Sequence, residues 1–318
     1  MSNRRATGLL VIAAIYVVAV GVGLGIFALV PGSWPLRLLV ADVSATVFVF
    51  LTSLPLRNAS VYDPYWSVAP PVICTGFAIA WQNWSAAVVV VLLVVWFWGV
   101  RLTVNWVVTF RGLGSQDWRY DDLQRQFPRL FPLIALVGVM LFPTLVVYGC
   151  TVPAVVFIGG SSLNAVWVVG VIMSLAGVGL ELVADAQMQA FRRTNTDHSR
   201  IIRTGVWRYA RHPNYLGEIL MWWGVAATAV AAVPGLWWLC VGALVNWAMF
   251  VFISIPMADR RNEALRDGFD EYRAQTRALI PIIPLLRRGG SRAATDGVVG
   301  YLPAHAKKDH PGASRHPS

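Results

Sequence analysis

Long apolar runs alternate with short polar segments along most of the chain. A helix needs about 20 apolar residues to cross the roughly 30 Å hydrocarbon core of a bilayer. Six runs reach that length, at residues 7–30, 36–56, 84–108, 131–152, 162–184 and 236–257. Two more, 67–81 and 215–233, are short or polar at one end, as expected of helices that line a cavity. The pattern predicts an all-α fold, a polytopic transmembrane bundle of about 7–8 membrane helices.

Basic residues are nearly absent from every second loop of this pattern. Arg37 is the only Lys or Arg in or beside the loops near 31–36, 81–84, 153–162 and 234–235. The positive-inside rule assigns the opposite, basic ends of the helices to the cytoplasm. We therefore expect both termini to be cytoplasmic. Asp42 lies near Arg37, about a turn from a helix end, and is expected to reach water.

Composition supports the membrane assignment. The 318 residues are 57% hydrophobic and 13% charged, whereas soluble domains carry about 25% charged residues. Topology and contact with anionic lipid headgroups account for the net charge of +10, so no nucleic acid partner is expected. Cys74, Cys150 and Cys240 lie far apart in apolar runs without metal-ligand spacing, and no metal site is predicted.

The periodic pattern of apolar residues ends near Arg287, and the residues after it are rich in Gly, Ser, Ala, His and Lys. A segment of this composition cannot bury enough apolar surface to fold. We predict one membrane domain over 1–286 and a disordered cytoplasmic tail over 287–318.

Polar residues inside the apolar pattern indicate where chemistry takes place. Glu181, Asp185, Gln189 and Arg192 are spaced to share one face of a helix. One alternative is a solvated helix end with an internal pair between Asp185 and Arg192. However, Glu181 lies within an apolar run, where a solvated face has no reason to begin. Carboxylates there are suited to accept hydrogen bonds from the hydroxyls of a ribose and the amide of a nicotinamide.

The densest polar segment is 200–218. Proline favours the first helical turn, so a helix is predicted to begin near Pro213, with His212 or a neighbour as its cap. Its N-terminus and four preceding arginines suit a phosphate; they are Arg200, Arg203, Arg208 and Arg211. Lipid-headgroup binding is the alternative. It does not explain why Asn214 and Glu218 share a face that points into the bilayer.

The motif Gly205-x-Trp207-x-x-x-Arg211-His212-Pro213-Asn214-Tyr215-x-Gly217-Glu218 resembles the signature of the steroid 5-alpha-reductase-like membrane family, which includes bacterial proteins of the DUF1295 group. The resemblance extends over most of 40–285. Residues 58–67 resemble the family's early polar motif, 101–120 its central loop and 259–281 its C-terminal segment. It implies an integral protein of the bacterial inner membrane, with its site facing the cytoplasm.

The resemblance implies an NADPH-dependent oxidoreductase acting on CH-CH groups. Such an enzyme holds NADPH in the cofactor half, about 101–286, and transfers a hydride to the C=C of a lipophilic enone from the bilayer. Together with the arginine segment it implies these cofactor-binding residues: Glu181, Asp185, Arg192, Arg200, Arg208, Arg211, His212, Asn214, Tyr215 and Glu218. The implied catalytic residues are Asp63, Tyr65 and Glu218. Asp63 matches an acid near the substrate ketone, where a proton donor stabilises the enolate.

The chain departs from this family at Trp98, near the position where steroid reductases have a ketone-polarising tyrosine; Tyr62 or Tyr65 is the expected substitute. The Arg-His-Pro-x-Tyr-x-Gly pattern also resembles the cofactor segment of membrane methyltransferases of the isoprenylcysteine carboxyl type, which bind S-adenosylmethionine. A non-catalytic lipid-binding relative is a third possibility. The expected partners are a lipophilic small molecule and membrane lipid.

Overall fold

The computed structural model describes residues 3–160, 165–197 and 199–279, and within them all regular elements are helices. The α-helices, numbered α1 to α10 in chain order, are Asn3–Leu29, Trp34–Leu56, Tyr65–Ala80, Ala86–Thr109, Trp118–Gln126, Phe131–Ile158, Trp167–Thr194, Pro213–Ala232, Pro234–Leu265 and Phe269–Gln275. Short 3-10 helices lie at Ala59–Tyr62 and Gly205–Arg208, and α9 begins with another, Pro234–Leu239. Single π-helical segments interrupt α6 at Ala135–Leu141 and α9 at Phe250–Ser254.

Seven of these helices are long and apolar enough to cross a membrane, namely α1, α2, α4, α6, α7, α8 and α9. The eighth predicted segment forms α3, which has only 16 residues. Its C-terminal end lies beside the start of α2 and the end of α6, because Trp81 just beyond it packs 6.0 Å from Trp34 and the Asn83 side chain donates to the Ile158 carbonyl at 2.8 Å. The predicted all-α bundle is confirmed. The predicted tail, 287–318, lies outside the described residues.

The basic ends of the helices gather at one end of the bundle. Arg5 donates to the Val107 carbonyl at 2.6 Å, and the Asn58 side chain donates to the Leu113 carbonyl at 2.7 Å. These contacts bring the start of α1, the loop between α2 and α3, and the end of α4 together. We call this the basic end. Its assignment to the cytoplasm, and hence that of the two termini, stays a prediction.

Glycines allow α7 and α8 to pack closely. A Cβ atom at Gly177 would lie 2.5 Å from the Gly217 carbonyl oxygen, and one at Gly217 would lie 2.3 Å from Cγ of Glu181. Farther along, a Cβ at Gly170 would lie 2.4 Å from the Thr228 hydroxyl. Any larger side chain would force these backbones apart. The glycines therefore bring the acidic face of α7 directly against α8.

The segment after α9 folds back over the start of α8. Backbone N–H groups of Arg211 and His212 donate to the carbonyls of Arg277 and Ala278 at 2.9 and 3.0 Å. As predicted, α8 begins at Pro213 with His212 in the cap position, although the His212 side chain does not cap the helix. The folded-back segment closes one side of a cavity at the basic end.

Candidate functional site

A cavity of about 300 Å³ opens at the basic end, between α4, α7, α8, α9, α10 and the loop before α8. Seven residues predicted to bind a cofactor line it: Asp185, Arg192, Arg200, Arg211, His212, Asn214 and Tyr215. They come from three parts of the chain that the fold brings together. The other predicted residues lie below the cavity or outside it.

Three arginines at this cavity, Arg192, Arg200 and Arg266, form what we call the arginine rim. Burial lowers the pKa of Arg266, and the positive charges of Arg192 and Arg261 lower it further. Crowded like charges raise the local concentration of anions. The rim therefore suits a phosphate group. Sequence reasoning missed Arg266, which lies in a segment identified by resemblance alone.

The cavity is also lined by a carboxylate and two amides. Asp185 lies beside Asn105, whose Nδ2 is 3.5 Å from Asp185 Oδ2, and Gln189 Nε2 donates to Asn105 Oδ1 at 2.6 Å. We call Asp185, Asn105 and Gln189 the polar floor. It offers both acceptors and donors to hydroxyl and amide groups. The sequence reading missed Asn105.

Arg101 lies behind this floor and corrects two expectations. It was assigned to a central loop, but it is a buried residue of α4. Its guanidinium pairs with Glu181 Oε2 at 2.8 Å and also with Asp185. The partner of Asp185 is thus Arg101 and not Arg192, the alternative suggested by spacing. The sequence did hold a sign of this pair, because Arg101 lies inside the apolar run 84–108, where an unpaired charge is costly.

Glu181 is buried beneath the cavity, so it does not line it. It fits there because Gly217 opposite has no side chain. The structure thus makes Glu181 a partner of Arg101, which supports the floor from behind.

Glu218 also lies below the cavity, where two indoles hold it. Trp98 Nε1 donates to Glu218 Oε2, and Trp222 Nε1 donates to Oε1, both at 2.8 Å. The two rings make an edge contact with centroids 4.8 Å apart. Glu218 does not line the cavity, and its two carboxylate oxygens accept from the two tryptophans. Its predicted contact with a cofactor head group stays a prediction.

Asp259 of α9 fixes the start of α8. Its two carboxylate oxygens meet Arg211 Nη2 at 2.7 Å and His212 Nε2 at 2.8 Å. The His212 ring stacks on Tyr215, with 5.1 Å between centroids and 6° between planes. Residues of the resemblance motif are therefore positioned by the C-terminal segment.

Arg208 differs from its neighbours in the motif because it is exposed and does not line the cavity. The adjacent Trp207 is buried, lines the cavity, and donates its indole N–H to the Ala184 carbonyl at 3.1 Å. Arg208 consequently points away from the place where the structure gathers the other predicted cofactor residues.

Asp63 and Tyr65 belong to a different region, beside α1 and α2. Asp63 accepts a hydrogen bond from the Tyr120 hydroxyl at 2.7 Å. Burial raises the pKa of Asp63 to about 6, although the Tyr120 bond and the positive charge of Arg119 oppose this shift. Tyr65 donates to Asp42 Oδ1 at 2.8 Å. The three predicted catalytic residues thus fall into three separate hydrogen-bonded groups, none of which lines the cavity at the basic end.

Asp42 does not reach water as expected. It is 6% exposed, and the nearby Arg37 instead donates to the Phe27 carbonyl at 2.8 Å and stacks over the Phe27 ring. Tyr65 is separated from Asp42 by 23 positions in sequence. Helical spacing therefore gave no sign of this pair.

Comparison with known proteins identifies relatives of the membrane domain. A model of the family described as "Protein of unknown function (DUF1295)" matches residues 49–276. An uncharacterized protein of Schizosaccharomyces pombe is 22% identical over 229 residues, which are 63% of this chain and 63% of that protein. The chain thus spans less than two thirds of this relative's length. No solved structure matches the chain.

Proposed function

The chain belongs to the DUF1295 family, and from that premise we propose that it is a membrane-embedded NADPH-dependent reductase of a lipophilic enone. The observation that carries the proposal is one cavity that is lined both by the arginine rim and by the polar floor. A dinucleotide phosphate likewise combines phosphates with hydroxyl and amide groups. From the positive-inside rule we expect this cavity on the cytoplasmic side, where the cofactor is found.

The donor set fits this cofactor better than S-adenosylmethionine. Arginine is the side chain suited to bidentate phosphate recognition, and Arg192, Arg200 and Arg266 all line the cavity. S-adenosylmethionine has a net positive charge and no phosphate, so its single carboxylate would leave most of the three arginines without an anionic partner. The cofactor would supply a hydride for the β-carbon of the enone.

The residues of this chain would bind and orient the cofactor. The arginine rim would hold its phosphates, and Asp185, Asn105 and Asn214 would bond its hydroxyl and amide groups. Arg101 and Glu181 would hold Asp185 in place from behind. Glu218 would act as a positioning residue, because it fixes the indoles of Trp98 and Trp222 beneath the cavity.

Binding measurements on the purified protein in detergent test the proposal. Charge-assisted hydrogen bonds contribute about 1.5–3 kcal/mol, so we expect NADPH to bind at least about tenfold more tightly than NADH by calorimetry. Arg192→Ala and Arg200→Ala should weaken NADPH binding. Arg208→Ala is the matched control and should leave it unchanged, because Arg208 lies outside the cavity. Equal affinities for NADPH and NADH, or tight binding of S-adenosylmethionine, would refute the assignment.

A further inference from the structure

A second cavity of about 300 Å³ lies between α1, α2 and α3. Its walls are almost entirely apolar, and no Lys, Arg or His side chain lines it. Within the described part of the chain, no residue lines both this cavity and the one at the basic end. An inference about it therefore stands apart from the proposed reductase function.

This second cavity opens sideways, toward the surface that faces lipid. Val20 and Leu24 of α1 line it, yet they are 38% and 65% exposed. Phe27 and Phe77 close the cavity at its end farther from the basic end, where their rings meet edge-on with centroids 5.7 Å apart. A molecule in the cavity would therefore enter from the bilayer past α1, with any long chain leaving by the same route.

One polar group interrupts the apolar wall. Asp42 lines the cavity about two turns into α2, and its Oδ1 accepts the Tyr65 hydroxyl at 2.8 Å. Across residues 3–160, 165–197 and 199–279, the other oxygen, Oδ2, has no hydrogen-bond partner. This oxygen is not fully enclosed by protein atoms, as expected of an oxygen that faces the cavity. A carboxyl oxygen at this depth in a membrane is costly without a donor. A ligand that supplied a donor at this depth would relieve that cost.

We propose that this second cavity binds a lipid alcohol from the bilayer, whose hydroxyl donates to Asp42 Oδ2 and whose hydrocarbon lies against α1 and α3. The Tyr65 hydroxyl already donates to Oδ1 and so orients the carboxyl group. The lateral opening at Val20 and Leu24 admits the chain.

The glycines of α1 provide a matched pair of variants. Gly23 lines the cavity, and a Cβ atom there would lie 3.9 Å from Ala45 Cβ, so a larger side chain would extend into the space. Gly21 does not line the cavity, and a Cβ there meets nothing within 4 Å. Gly23→Leu should fill the site. Gly21→Leu makes the same chemical change on the same helix outside it.

Photolabelling in lipid nanodiscs tests the proposal, with hexadecanol carrying a diazirine in its chain as the probe. We expect crosslinks to peptides of α1, α2 and α3. The labelling yield should fall by about tenfold or more in Gly23→Leu and should not fall in Gly21→Leu. One hydrogen bond corresponds to roughly three- to tenfold in affinity. Unlabelled hexadecanol should therefore compete with the probe roughly three- to tenfold better than its methyl ether, which lacks the hydrogen-bond donor.

Asp42→Leu should abolish the difference between the alcohol and the ether while labelling persists. The proposal is overturned if Gly23→Leu and Gly21→Leu are labelled equally, if the ether competes as well as the alcohol against the parent protein, or if hexadecylamine is strongly preferred. NADPH affinity, measured on the same variants, should not change. Loss of one binding activity without the other separates this site from the proposed reductase site.

Discussion

Two regions of this bundle hold acidic side chains among its helices, and they stabilise these carboxyl groups with different partners. Between α4, α7 and α8, Glu181 and Asp185 share the cation Arg101. Beside α1 and α2, Asp42 and Asp63 instead accept hydrogen bonds from the neutral hydroxyls of Tyr65 and Tyr120. The first region adjoins a cavity rich in arginine, and the second adjoins an apolar one.

The difference shows what each region is built to contact. A charge pair inside a protein requires several well-placed partners to offset its desolvation. Asp185 has such partners in Arg101 and the amide of Asn105, so it can meet a polar ligand in fixed geometry. Glu181 pairs with Arg101 by charge, but its Oε2 accepts no hydrogen bond among the described residues.

In the tyrosine region beside α1 and α2, Asp63 also has the Ser60 side chain and the charge of Arg119 nearby. Asp42, in contrast, has only the Tyr65 hydroxyl as a donor among the described residues. The carboxyl group of Asp42 is therefore the less fully satisfied of the two, and it is the one that adjoins the apolar cavity.

Of the substitutions that test this comparison, the removal of Arg101 should have the largest effect on stability. Arg101→Leu would leave the buried Glu181 and the half-buried Asp185 without their cation. Breaking a buried pair costs about 3–5 kcal/mol. Unfolding in detergent should show a correspondingly large loss of stability. Arg125→Leu is the control, because Arg125 and its partner Asp122 are 74% and 41% exposed and surface pairs contribute about 0–1 kcal/mol. Similar losses in both variants would contradict the importance of the buried pair.

Widening the contact between α7 and α8 should have the next largest effect. In Gly217→Ala the new Cβ would lie 2.3 Å from Glu181 Cγ and 2.6 Å from the Gly177 carbonyl oxygen. Overpacking of this kind costs about 1–3 kcal/mol, and unfolding in detergent would measure it. Gly179→Ala, on the open face of α7, should instead stabilise the helix by up to about 1 kcal/mol. A neutral Gly217→Ala would mean that the helices are free to separate.

Removing one indole hydrogen bond to Glu218 should destabilise the folded protein by as much as Gly217→Ala or less. Trp98→Phe leaves Glu218 Oε2 without its donor, and an unsatisfied buried acceptor costs about 1–3 kcal/mol. Trp96→Phe on the same helix is the control, since Trp96 is 41% exposed and its indole bonds only to the Thr75 hydroxyl. Thermal unfolding of both variants would test the contrast. Equal shifts would show that ring volume matters and the carboxylate bond does not.

The smallest expected effect concerns Asp63 in the tyrosine region. Its pKa of about 6 in the folded protein lies above the ordinary aspartate value of 3.8, so the folded state binds the proton more tightly. Its contribution therefore favours folding at low pH and is lost as pH rises from about 4 to 6. Tyr120→Phe removes a donor to the charged form and should move the upper end of this window up by at most about one pH unit.

Stability measured against pH checks this prediction, with Asp63→Asn as the variant that should lose the dependence. A window that moved down in Tyr120→Phe would contradict the hydrogen bond as the reason for the difference. The same measurement on Tyr62→Phe is a useful control, because the Tyr62 hydroxyl bonds to Thr144 and not to Asp63.

The sequence by itself determined the membrane bundle, the start of α8 and much of the first cavity's lining. A bilayer requires about 20 apolar residues per crossing, and this local requirement can be read along the chain. Pro213 marks a helix start because its geometry is local too. Asp185, Arg192 and Asn214 were accessible to sequence reasoning because helical spacing and the motif placed them together.

The tertiary structure alone decided which side chains pair. Arg101 meets Asp185 across 84 positions of sequence, and Trp98 meets Glu218 across 120. Such pairs depend on how the helices are rotated and shifted against one another, which periodicity within each helix does not specify. The same reason explains why Arg208 turned away from the cavity, and why Asp42, expected to reach water, lies in an apolar wall bonded to Tyr65.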